Sequence, residues 1–560
     1  MKEKPPGLPK LLSRIWPPLQ FFLPLLAVFI ISAGMLCWNL GARYLWQDEA
    51  DTAVLAQRMM SYGRPLAYDG RNLITLDLYF PEKAQELPTG DPAEAVQYHV
   101  QRGDFKADTA WIGHPWGQFI VAGASLALFG HDTVPARLPF ALAGALTAAL
   151  LYAVVRRRLA SPVAAVAAVT LVLGNSFWVM HMRQCRYYAL SSLFLLVTLE
   201  AYLRWREGRR WGGPFFIGAA WMWFQMDYGS VWPVLGILGL HAVITRTRRL
   251  GETVLVFAGF CAVTAPFFLY YELAGRTKYM AIQWSNSIWT MVFEVNQFQL
   301  PLAIIPVVLW LLWVNRKDRS NTQSLPLVGL SLAIVCVLPI WMAIAGTLPF
   351  YRYIVPLTTL SAIVVAYGIV ETARLLPRAK DVRWLVPSTV AATTLLFAIT
   401  NLPSWPGGLV IPEEHGTKYY LSSVVRPEIG LLIGDLTGGG EDDPNRATVE
   451  FLRQRLRPGD EILCNYEDKP LMFYLPNRVR GGISCFRVTD AGNVRFAVYR
   501  RSVEFCHTSI YLRELLKSRW RAHVMNAPDI PWGNFPDPRS HYTLLSDGSP
   551  PLMVFERVSQ

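Results

Sequence analysis

"FFLPLLAVFIISAGMLCWNL", residues 21–40, runs straight into "GARYLWQDEADTAV", residues 41–54. Extended back to about Pro18, the first stretch is uninterrupted apolar sequence, long enough to cross a hydrocarbon core at about 1.5 Å per helical residue. The second places Asp48, Glu49 and Asp51 within four positions, just after Trp46, where the chain leaves that run. Lys2, Lys4, Lys10 and Arg14 flank it on the other side. The run is too long for a signal-peptide core and shows no small-residue cleavage site, so it reads as a retained first helix entering from the cytoplasm. The acid cluster then lies on the outer side.

The rest of the chain repeats this texture. Of 560 residues, 52% are hydrophobic and only 17% charged, with 20 Trp and a mean hydropathy of +0.26, far from the balance of a soluble domain. The apolar residues gather into continuous segments that do not alternate, which predicts membrane-spanning helices and excludes a barrel. The net charge of +12 sits in short clusters between these segments, not on one face, so it marks membrane topology and gives no nucleic-acid surface. The clusters are "RRR" at 156–158, "RWREGRR" at 204–210, "RTRR" at 246–249, "NRKDR" at 315–319 and "RLLPRAKDVR" at 374–383.

With each cluster cytoplasmic, helices fall near 18–40, 134–155, 162–180, 187–203, 214–229, 231–245, 252–271, 299–314, 325–345, 353–373 and 384–403. The fold class is therefore a multi-pass α-helical membrane protein of about 11 spans, followed by a small α/β soluble C-terminal domain. The membrane part covers 1–404, with an outer loop at 41–135; the second domain covers 405–560 and lies outside. "WGQFIVAGASLALFG" at 116–130 is apolar but short, as suits a helix lying on the membrane. The outer loop at 272–298, with Arg276, Lys278, Tyr279, Trp284 and Trp289, has interfacial composition. After 405, short apolar runs such as "EILCNY" and "LMFYL" alternate with polar sequence. A disulfide between two of Cys464, Cys485 and Cys506 suits an oxidising compartment. No phosphate-cradling glycine motif and no metal-ligand spacing is present.

The chemistry-bearing residues gather on the outer side. A carboxylate such as Asp48, held near the bilayer surface, is a stronger base than one in water, as deprotonating an alcohol requires. "WIGHPWGQF" puts His114 before the interfacial helix, and "VMHMRQCRYYAL" gathers His181, Arg183, Arg186, Tyr187 and Tyr188 between two spans. Cations at an outer boundary run against the positive-inside trend, and an anionic ligand accounts for them. "GTLPFYRYIVPL" adds Tyr351 and Arg352 at another outer boundary. Each stretch alone also reads as packing, capping or snorkelling residues; together they pair a base with phosphate-binding groups.

In order along the chain, these motifs resemble the GT-C fold glycosyltransferases that use polyprenyl-phosphate sugars, in particular the protein O-mannosyltransferase and lipid A aminoarabinose transferase group. The likeness rests on Asp48-Glu49 after the first helix, "HPW" at 114–116, "LFGHDTVPARLPFALAGAL" at 128–146, "RQCRYYAL" at 183–190 and "RYIVP" at 352–356. It covers about residues 1–400. Trp116 and Asp51 depart from the pattern, which has Pro and, in the aminoarabinose transferases, Arg at these places. The resemblance implies Asp48 as the carboxylate that activates the acceptor, with Glu49 supporting it or positioning a metal. It implies His114, His181, Arg183, Arg186, Tyr188, Tyr351 and Arg352 as ligands of the donor phosphate or sugar. No cofactor is required; Mg²⁺ or Mn²⁺ bridging Asp48 or Glu49 to phosphate is compatible with hard oxygen ligands. The implied reaction is a single-displacement, inverting transfer at the outer face of the cell membrane. Its donor is a polyprenyl-phosphate sugar, its acceptor a lipid, glycan or protein hydroxyl. A polyprenyl-lipid ligase or polymerase is an alternative, as is a transporter or flippase. The transporter reading would rest on Asp227.

Overall fold

The computed structural model describes residues 8–75, 92–245, 248–274, 284–317, 324–344, 350–377, 381–411, 423–440, 442–482, 492–501, 503, 507–517, 519–529 and 550–558. The membrane part is built from helices α1 (Leu8–Cys37), α2 (Gln47–Tyr62), α3 (Pro92–Gln101), α4 (Gly117–Phe129), α5 (Thr133–Arg158), α6 (Pro162–Leu173), α7 (Ser176–Met182) and α8 (Tyr188–Arg206). It continues with α9 (Gly212–Phe224), α10 (Tyr228–Thr245), α11 (Leu250–Tyr270), α12 (Trp284–Phe298), α13 (Ile304–Asn315), α14 (Ser324–Ile344), α15 (Thr358–Arg374) and α16 (Leu385–Ile399). Among the described residues, α5, α10, α11, α14 and α15 with the turn before it are long and apolar enough to span a bilayer. The chain is a multi-pass membrane protein.

A helix lies at every stretch where the sequence predicts a span, but several are short. The segment expected at 162–180 is two helices, α6 and α7, bent by 75°. The bend has local causes. A Cβ at Gly174 would stand 2.9 Å from that of Ala398, so glycine lets the end of α6 approach α16. Asn175 then caps α7, its side-chain oxygen accepting from Trp178 N at 2.9 Å. The tight pair near Tyr228–Trp232 separates cleanly: α9 stops at Phe224, and the Asp227 carboxylate accepts from the backbone N–H groups of Gly229 and Ser230 at the start of α10. Asp227 also accepts from the Ser191 hydroxyl, so the acid that a transporter reading singles out is a helix cap.

The segment 41–135, expected as an outer loop, is more structured than a loop. Its acids open α2, a four-turn helix ended by Gly63 at φ +75°, the left-handed conformation glycine tolerates best. The short apolar helix expected at 116–130 is α4, and the segment expected as a second outer loop, 272–298, holds α12. Arg276, Lys278 and Tyr279 lie outside the described residues, as do Cys485 and Cys506 of the expected disulfide.

Beyond α16 the chain forms a five-stranded sheet of order β2-β1-β3-β5-β4, from β1 (Glu461–Cys464), β2 (Arg478–Gly481), β3 (Val494–Val498), β4 (Trp520–Pro528) and β5 (Pro551–Arg557). β1 is parallel to β2 and β3, and β5 is antiparallel to β3 and β4. "EILC" is a strand as its alternation suggests, whereas "LMFY" closes the helix Asp468–Tyr474. That helix docks on the segment between α1 and α2. Leu45 N donates to the Tyr474 hydroxyl at 2.9 Å, Tyr44 stacks on the Tyr474 ring at 4.2 Å, and Gln47 donates to Asp468 at 2.7 Å. Arg43 pairs with Asp435 and Asp442, each at 3.0 Å. The sheet region is therefore clamped to the residues that lead into the acid cluster.

Candidate active site

The first turn of α2 favours carboxylates, because its N–H groups lack intrahelical partners and the helix dipole is positive there. Asp48 and Glu49 on this turn, and Asp51 just after it, meet different surroundings. Glu49 is fully buried: its oxygens accept from Arg137 at 2.8 and 2.6 Å and from Cys185 N at 2.7 Å. Arg137, on α5, also donates to the carbonyls of Leu40, Arg43 and Tyr44, so the pair stitches α5 to the turn between α1 and α2. Asp51 is 3% exposed, between Arg186 at 3.3 Å and Lys469 at 3.4 Å. Asp48 alone keeps a reachable carboxylate, 16% exposed, with Arg352 at 3.5 Å and Arg186 at 3.9 Å.

Two of the cations expected from the sequence thus converge on Asp48. Arg186, in the turn before α8, also donates to the Thr52 hydroxyl at 3.0 Å and reaches His114 Nε2 at 3.5 Å. His114 in turn stacks on Trp111. Arg352 sits in the short turn Tyr351–Tyr353, its guanidinium 4.2 Å from the Phe350 ring centre and 5.8 Å from that of Trp46. These aromatic faces hold the charge without neutralising it. Tyr188 packs on His181, with ring centres 5.1 Å apart.

Three of the expected ligands point elsewhere. Arg183 turns away toward Asn39 O at 3.4 Å and lines a small cavity with Arg43, Arg137 and Asp435. His181 is buried in α7 and its Nδ1–H donates to Phe177 O at 2.7 Å. Tyr351 faces an aromatic wall of Phe177, Phe298 and His181, behind Arg352. Glu49, spent on Arg137 and Cys185, has no open face to share with Asp48. Among the described residues no three His, Cys, Asp or Glu side chains gather as a metal site; the positive charge beside Asp48 comes from two guanidinium groups.

The structure also brings in residues from the far end of the chain. "YEDK" at 466–469 leads into the helix Asp468–Tyr474 and reaches the acid cluster. Burial alone would lower the Lys469 ammonium, but Asp51, Asp468 and Asp48 outweigh it and hold its pKa above the usual lysine value. Burial pushes the Tyr466 phenol up, and the Glu467 and Asp48 charges push it further. Lys469→Met should therefore weaken the site without unfolding it. If the site takes the lipid-phosphate donor that the motifs imply, about a tenfold loss of transfer is expected, read mainly in the KM for that donor, with Lys469→Arg recovering most of it.

Comparison with solved structures fixes what this architecture is. Aligned over 97% of this chain and 98% of the other, the apo crystal structure of ArnT from Cupriavidus metallidurans superposes with a TM-score of 0.54 at 14% identity. The chain has the GT-C fold. The crystal structure of the same ArnT bound to undecaprenyl phosphate aligns over 96% and 97% with a TM-score of 0.51 and 14% identity. Within this GT-C chain, residues 113–271 match the family model described as dolichyl-phosphate-mannose-protein mannosyltransferase. That segment holds His114 and Arg186 but neither Asp48, Arg352 nor Lys469. No curated protein sequence matches the chain.

Proposed function

We propose that the protein is a membrane glycosyltransferase that moves a sugar from a polyprenyl-phosphate-sugar donor to a hydroxyl acceptor. One observation carries the reading: Asp48, the accessible member of the acid cluster, stands between two buried guanidinium groups supplied by separate segments, Arg186 and Arg352. The match to a dolichyl-phosphate-mannose transferase model, and the undecaprenyl phosphate in the structurally similar ArnT, support the donor class.

In this reading the donor phosphate lies against Arg186 and Arg352, which replace the water it leaves behind. The separations of 3.5 and 3.9 Å are loose for ion pairs, so a phosphate can draw on both guanidiniums without breaking a tight contact to Asp48. The acceptor hydroxyl donates its proton to Asp48 as its oxygen forms a bond to the anomeric carbon. The bond from that carbon to the phosphate oxygen breaks, and its electron pair leaves with the lipid phosphate. One displacement inverts the anomeric configuration. His114, beside Arg186, and Lys469, beside Asp51, hold this charge arrangement in place. The bilayer carries about 11 crossings of residues 1–404, with the N-terminus cytoplasmic. Residues 405–560, together with the acid cluster, lie on the extracytoplasmic side of the cell membrane.

Arg352→Ala tests the phosphate role. Transfer from labelled polyprenyl-phosphate sugars should fall about a hundredfold, and retention of undecaprenyl phosphate should fall with it. Loss of transfer with undiminished lipid retention would remove Arg352 from the phosphate site.

A further inference from the structure

At the opposite end of α5 and α8 from the acid cluster is a second cationic site that the transfer reaction does not use. Arg157 lies 20 residues after Arg137 on α5, about 30 Å along the helix. Together with Arg204, Arg209, Arg210, Trp211 and Phe215 it lines an open cavity of about 560 Å³ at the ends of α5 and α8 and the start of α9.

The charge there is unbalanced. The Glu200 carboxylate is shared by Arg157, by Arg158 at 3.0 Å and by Arg204 at 2.7 Å, and Glu207 is taken by Arg158. Arg209 and Arg210 are exposed and form no ion pair among the described residues. The backbone that carries them is fixed. Gly208 takes φ +82°, Gly212 N donates to Arg209 O at 2.9 Å, and a Cβ at Gly212 would come within 2.4 Å of the Trp205 backbone. The two arginines are thus held on a tight turn beside aromatic groups that face outward: Trp211 is 69% exposed and Phe215 46%. A phosphate-bearing ligand gains the guanidiniums, and one that also carries acyl chains gains the aromatic rim, as at a membrane interface.

The geometry points to a binding site for an anionic phospholipid headgroup in this cavity, remote from the sugar-transfer site. The phosphate lies among Arg157, Arg204, Arg209 and Arg210, and the acyl chains leave past Trp211 and Phe215 along α9. Inorganic phosphate shares the headgroup chemistry but gains nothing from the aromatic rim, which is why the lipid is the occupant.

Native mass spectrometry of the full chain released from mixed phosphatidylglycerol and phosphatidylcholine micelles tests this. Wild type should retain phosphatidylglycerol, and Arg209→Ala/Arg210→Ala should retain about thirtyfold less, at roughly 1 kcal/mol per arginine, with phosphatidylcholine unchanged. Arg316→Ala/Lys317→Ala, which removes two charges at the end of α13, should leave phosphatidylglycerol retention at the wild-type level. Equal losses in both double variants, or no loss in the first, would overturn the site in favour of a diffuse surface field. Displacement of the lipid by millimolar inorganic phosphate would overturn the lipid assignment and leave a simple phosphate site.

Discussion

Asp48→Asn should lower sugar transfer by about 10²–10⁴-fold, the range expected when a positioned general base is removed, while leaving undecaprenyl phosphate bound as well as in wild type or better. The two halves of this expectation come from the same contacts. Asparagine keeps the shape of the side chain but cannot take the acceptor proton. It also removes a negative charge that stands 3.5 Å from Arg352 and 3.9 Å from Arg186, so the donor phosphate meets less competition for the guanidiniums. Parallel measurement of transfer rate and lipid-phosphate retention separates this from a folding defect, which would lower both. Weaker lipid binding in a folded Asp48→Asn protein would contradict the charge arrangement.

Glu49→Gln, one residue along, should act on stability. Glu49 is fully buried against Arg137, and removing one partner of a buried pair leaves the other charge uncompensated, at a cost of about 3–5 kcal/mol. The loss should appear as a clear fall in the thermal unfolding temperature in detergent, whereas Asp48→Asn should leave that temperature nearly unchanged. Glu49→Met combined with Arg137→Met should recover part of the loss, because the pair then goes as a unit. The recovery should be incomplete, since Arg137 also holds the carbonyls of Leu40, Arg43 and Tyr44. If Glu49→Gln kept full stability and lost transfer, Glu49 would belong to the chemistry after all.

The contrast between these neighbours shows what the sequence can and cannot convey. Adjacent carboxylates at the exit of an apolar run point to a site, and cations that break the expected positive-inside pattern point to an anionic ligand. Which carboxylate stays accessible is decided by Arg137, 88 positions away within a predicted span, where it looks like a helix-end cation. Arg183 and Arg186 would share a face if they stood on one helix. They occupy the turn between α7 and α8, where Arg186 N bonds back to Gln184 O at 2.7 Å, and so they point apart, Arg183 toward Asn39 O and Arg186 toward Asp48 and Asp51. The bend between α6 and α7 escaped the hydropathy pattern because both halves are apolar; Gly174 and Asn175 were its local signs. Lys469 was invisible for a different reason. It lies more than 400 residues from the acids, and only the docking of the helix Asp468–Tyr474 on Tyr44, Leu45 and Gln47 delivers it.

In the proposed function, sugar leaves a lipid phosphate at Asp48, Arg186 and Arg352 with no nucleotide involved. The most direct test of this gives the purified protein labelled polyprenyl-phosphate sugars extracted from membranes, together with a membrane fraction as acceptor. Label should leave the lipid and reach a hydroxyl-linked product in the absence of nucleotide sugars, and Asp48→Asn should block this. Equal transfer by Asp48→Asn, or transfer supported only by a nucleotide sugar, would contradict it.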